Sequence, residues 1–95
     1  MTTSNTSSAN TKQGAIDGVI RKVDAMNRDM TVLAGGSQEL VDVPSGCSIV
    51  LNGETVKLRL LQPGDRVRVI YFDQNNVRTA QYIEAGIDRS LNTKP

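Results

Sequence analysis

The stretch "LNGETVKLRLLQPGDRVRVIYFD", residues 51–73, decides the fold. Asn52-Gly53 is a dipeptide well suited to a two-residue hairpin turn, because both central positions need positive φ. The apolar residues that follow, Val56, Leu58, Leu60 and Leu61, fit neither strand nor helix periodicity cleanly. They predict a short strand that passes into one helical turn and plugs an end of the sheet. Pro63-Gly64 sets a tight turn, and "DRVRVIYF" then alternates. That alternation points Val67, Val69 and Tyr71 inward and Arg66, Arg68, Ile70 and Phe72 outward. Hairpin, plug and turn together redirect the chain into its last two strands.

Upstream, "GAIDGVIRKVDA" places Ile16, Gly18 and Ile20 on one face, and Val23 rejoins them only after a change of phase. A bulge near Arg21 and Lys22 accounts for that change. Gly18 in mid-strand fits sharp coiling or a close backbone approach. "MNRD" forms a turn, and "MTVLA" is a strand with either Met30 and Val32 or Thr31 and Leu33 inward. "GGS" joins it to "QELVDV", expected to bury Leu40 and either Val41 or Val43. Pro44 and Gly46 end that strand, "CSIVL" forms another, "QNN" turns the chain, and "VRTAQYIEA" is the last strand. Five or six short strands with one helical turn predict an all-β, OB-like barrel over residues 14–85. A long, bulged first strand suits such a barrel because it serves both of its sheets; an SH3-like barrel is the alternative.

The chain has 95 residues, enough for one domain with a small core. Residues 1–13 are mostly Thr, Ser and Asn, too polar to offset the entropy of ordering, and are expected to be disordered. Residues 86–95 are expected to form a mostly flexible tail, with Ile87 and Leu91 spaced for one docking turn. A single cysteine, Cys47, excludes an internal disulfide. The sequence shows no signal peptide and no apolar run long enough to span a bilayer. The expectation is a domain with no membrane association, cytoplasmic by default.

Histidine is absent from the chain, and its carboxylates are scattered among basic and polar residues. Gly46 and Ser48, which flank Cys47, offer no cation that would make a reactive thiolate. The sequence therefore predicts no catalytic residue, no cofactor and no enzyme. Between Gly14 and Ala85, eight basic residues stand against nine acidic ones, a net charge of −1. Nucleic-acid binding draws most of its affinity from phosphate neutralisation, so this balance disfavours it unless the charges separate by face.

The first strand with its Gly-x-Ile pattern, the apolar Asn-Gly hairpin, the leucine turn, the "GDRVRV" segment and the Ala80 and Ile83 pair resemble small bacterial OB-like domains of unknown function. The resemblance covers residues 14–85 and implies the fold without an activity. Periplasmic copper-chaperone domains share a similar barrel, and they bind copper(I) with methionines, a histidine and a capping tryptophan. Here Met26, Met30 and Cys47 are the soft donors, but His and Trp are both missing. No metal is therefore expected. "LQPGDRVRV" also looks like the late strand of bacterial translation initiation factor one, an RNA-binding OB domain.

Two surfaces follow as candidates. Outward Ile70 and Phe72 form an apolar pair that needs a cover, which predicts protein interaction or self-association. The alternative is single-stranded nucleic-acid binding by Arg66, Arg68 and Arg78 on one outward face of the last hairpin.

Overall fold

The computed structural model describes residues 11–86. Seven strands account for most of that span: β1 (Thr11–Asp24), β2 (Asp29–Ala34), β3 (Ser37–Asp42), β4 (Ser48–Leu51), β5 (Glu54–Thr55), β6 (Arg66–Gln74) and β7 (Val77–Ala85). A 3₁₀ turn at Leu58–Leu60 is the one helical element among the described residues. β1 begins at Thr11, earlier than Gly14, and pairs there with Gln74 of β6. The rest of the expected N-terminal tail and the expected docking turn of Ile87 and Leu91 lie outside the described residues. No helix among the described residues is long and apolar enough to cross a membrane.

The strands run in the order β3-β2-β1-β6-β7-β4-β5. A parallel pairing of β3 with β7, at Asp42 and Thr79, closes five of them into a ring. This order, with β1 between β2 and β6 and a parallel closing seam, is the OB-like arrangement and not the SH3-like one. One backbone pairing closes the seam, so the barrel is partly open.

β1 carries the closure. Its first part pairs with β6 as far as Val19 and Arg66, and its second part pairs with β2 from Val19 and Leu33 onward. The register shifts between Ile20 and Lys22, so the predicted bulge is present and brings Val23 back to the core side. Gly18 precedes Val19, where β1 passes from β6 to β2, and its backbone lies close against that of β2. A Cβ there would strike the Leu33 carbonyl oxygen and approach Val32 Cγ1 to 2.9 Å.

Met30 and Val32 take the inward positions on β2, joining Ile20, Val41, Val43, Val69 and Ile83 in the fully buried centre. Leu40, expected inside, is 62% exposed. Register explains this: Val41 sits opposite buried Met30, so alternation turns Leu40 outward, and Val43 is buried beyond the strand end. Leu58, the first residue of the 3₁₀ turn, and Leu61, just after it, are buried and form the expected plug. The Pro63-Gly64 turn is pinned to β1, because the Gly64 amide donates to the Ile20 carbonyl at 2.8 Å and the Ile20 amide to the Asp65 carbonyl at 2.9 Å. Buried Asp65 clasps the same turn, its carboxylate accepting the Gln62 amide at 3.0 Å.

Replacing Gly18 by Ala pushes a methyl group into backbone that cannot rotate away. The expected cost is about 3 kcal/mol, typical of overpacking in a tight core. Urea unfolding should show a lower midpoint at an unchanged slope.

Candidate functional site

The outer face of the β6–β7 hairpin is where the sequence placed both candidate surfaces. Ile70 lies between Ala15 of β1 and Tyr82 of β7, and Phe72 between Gln13 and Thr79. Both are half-buried, so the neighbouring strands already provide part of the cover expected from a partner. Arg68 forms a two-pronged ion pair with Asp17 of β1, Nε to Oδ1 at 2.7 Å and Nη2 to Oδ2 at 3.0 Å. These hydrogen bonds hold the Asp17 carboxyl below the usual carboxylate range. Arg66 shares with Arg68, Asp17 and Glu84 an open cleft of about 310 Å³. Its lining mixes both charges.

Arg78 is not on this surface. It pairs in register with Asp73, and its guanidinium stands 5.1 Å from the ring centroid of Tyr71, on the core side of β6. Its Nη1 also donates to Glu39 of β3, both side chains being about 30% exposed. Gly14 completes this end of the barrel: a Cβ there would lie 2.7 Å from Tyr71 Cζ, so β1 must be bare where the tyrosine packs. Glu39, Arg78 and Tyr71 thus tie β3 to β6 and β7 beside the single-pairing seam. The expected trio of arginines is split between two faces, because the bulge between Ile70 and Tyr71 and the return of β7 set Arg78 on the inner side.

A third region was not legible as a site. The β1–β2 turn ends at Arg28, whose φ of 56° is left-handed and costs a non-glycine residue energy. Tertiary bonds hold it there. Arg28 Nε donates to the Val43 carbonyl at 2.9 Å and Nη2 to the Pro44 carbonyl at 3.3 Å. The Val43 amide donates back to the Arg28 carbonyl at 2.9 Å. The Cys47 amide donates to the Pro44 carbonyl at 2.9 Å, so turn and β3–β4 loop form one tied unit. Between them and the 3₁₀ turn lies a pocket of about 250 Å³ with Arg28, Lys57, Ser45 and Cys47 at its polar side and Ile49, Val56 and Leu58 at its apolar side. Burial pushes the Cys47 thiol up to about 11, with the Arg28 guanidinium pulling the other way. The thiol is therefore neutral near physiological pH.

No family model matches the chain, and no curated protein matches it by sequence. Solved structures do match in shape. Apo-CusF from Escherichia coli is similar with a TM-score of 0.64 at 14% identity, covering 82% of this chain and 92% of its own. CusF with Ag(I) gives 0.66 at 14% identity over 83% of this chain and 98% of its own. A tryptophan-to-alanine variant of CusF with Cu(II) gives 0.63 at 13% identity over 79% and 92%. At such identities the likeness is one of fold.

These neighbours correct one expectation. Barrels of this shape hold Ag(I) and Cu(II), so the exclusion of a metal does not stand, and the expected protein and nucleic-acid partners draw no support from them. The cytoplasmic default gains no support either. In this chain the soft donors are dispersed. Met30 is fully buried, Met26 is 91% exposed in the β1–β2 turn, and Cys47 is half-buried in the β3–β4 loop. Among the described residues no three His, Cys, Asp or Glu side chains gather as a metal site. What the chain does have is sulfur on two loops that Arg28 ties together.

The raised Cys47 pKa has a measurable consequence. With the thiol pushed from 9.0 to about 11, alkylation by iodoacetamide at mildly alkaline pH should run about a hundredfold slower than for a free cysteine. Because the folded state favours the neutral thiol, this group's contribution to stability is complete below pH 9.0 and is lost as pH rises through about 11. Alkylation rates and unfolding midpoints across that window check both.

Proposed function

We propose that the chain is a non-catalytic binding module whose ligand is a soft metal ion held by sulfur. The observation that carries this reading is the likeness of the fold to CusF in its Ag(I)- and Cu(II)-bound structures. Soft monovalent ions choose thiolate and thioether ligands, and Met26 and Cys47 occupy two loops that Arg28 links through Val43 and Pro44. Capture by those two sulfurs requires the exposed Met26 side chain to fold over toward Cys47. It also requires the Cys47 proton to leave, so affinity rises with pH. Two donors without histidine make a weaker site than three converging ones. The non-catalytic part of the reading is supported by the lack of histidine and by Cys47 being neutral near physiological pH.

Titration with Ag(I) in the absence of competing thiols should saturate near one equivalent, release a proton and move the Met26 methyl and Cys47 amide resonances. Met26→Leu should weaken binding and Cys47→Ser should abolish the proton release. A protein that gives neither heat nor shift with Ag(I) and Cu(I), or a double variant that binds as well as the parent, would sink the proposal.

A further inference from the structure

We infer that the pocket between the β1–β2 turn, the β3–β4 loop and the 3₁₀ turn binds a small organic anion, a carboxylate on a short aliphatic body. Three features of the pocket converge on that chemistry. First, its charged lining is of one sign: among the described residues Arg28 and Lys57 border it and no acidic residue does. Two other arginines are paired with carboxylates, Arg68 with Asp17 and Arg78 with Glu39. Arg28 instead spends two of its five donors on the Val43 and Pro44 carbonyls, which fixes the guanidinium at the pocket and leaves donors for a ligand. Second, the facing wall is apolar, built from Ile49, Val56 and Leu58, so a ligand's charged end and its hydrocarbon part have separate places. Third, Arg28 is held at a φ of 56°, where glycine or asparagine is the easier residue. Turn geometry alone does not call for arginine there. Its side chain does.

Size restricts the ligand further. A pocket of about 250 Å³ is smaller than those that enclose drug-sized molecules, and it holds on the order of eight water-sized units. A six-carbon acid matches that volume. A ligand so small in an open pocket should bind with a dissociation constant of about 1 mM. The inference does not rest on the metal reading, since the groups that hold the carboxylate are cations and use neither Met26 nor the Cys47 thiolate.

Hexanoate is the probe. It should shift the amide resonances of Ser45, Cys47, Val56 and Lys57 and slow alkylation of Cys47 at fixed pH. Lys57→Gln, at an exposed position, should weaken hexanoate about tenfold, the size of one charge-assisted contact, and leave Ag(I) binding as it was. Added salt should weaken it as well. Arg28→Gly suits the left-handed backbone and should also lose hexanoate, with the fold checked by its amide spectrum. 1-Hexanol lacks the charge and inorganic phosphate lacks the aliphatic body, so each should bind more weakly. The assignment is overturned if hexanol or phosphate binds as tightly as hexanoate, if hexanoate moves no resonance of the pocket, or if both variants bind it unchanged.

Discussion

The close passage of β1 under the Leu33 carbonyl at Gly18 is the contact on which the ring depends. A strand that pairs with β6 along one half and β2 along the other must coil sharply where it changes partner, and a side chain at that point would hold the two backbones apart. The bulge at Arg21 completes the change of direction by returning Val23 to the core side. Once β1 is bent, β3 comes near β7 and the parallel seam forms. The core of aliphatic side chains from β1, β2, β3, β6 and β7 then has a closed space to fill.

Charge is distributed by the same geometry. Alternation along β6 puts Arg66 and Arg68 outside and Tyr71 inside, and the pairing of β1 with β6 brings Asp17 opposite Arg68. That pair is exposed on both sides and adds little to stability. Arg78 and Glu39 are better shielded, and the Tyr71 ring adds a cation–π contact, so this cluster is the sturdier tie across the seam. Arg28 is of another kind, because its partners are carbonyl groups of a loop and not a carboxylate.

The sequence carried the succession of strands and turns well where local signals were strong. Asn52-Gly53, Pro63-Gly64 and the alternation from Arg66 to Phe72 named their turns and faces correctly, and the phase change after Ile20 announced the bulge. Leu40 was misread because a hydrophobic residue in a short strand looks like core until its partner strand fixes the register. Arg78 was misplaced for a related reason, since the face it occupies depends on a bulge against β6 that no local pattern announces. The pocket at Arg28 could not be read at all. Its members come from a turn, two loops and the start of β4, and only the tied geometry of Arg28 with Val43 and Pro44 brings them together.

The parallel seam has a consequence for how the chain acquires its structure during synthesis. β1, β2 and β3 form a meander that leaves the ribosome first, yet β1 has its longest pairing with β6, and β3 closes only against β7. Until β6 and β7 have emerged, the core around Ile16, Ile20, Met30 and Val32 lacks Val67, Val69, Ala80 and Ile83. Non-local pairings of this sort are slow to form, because loop closure comes before the contacts that reward it. Because β7 pairs with β3, β4 and β6, it is the strand whose arrival completes the ring.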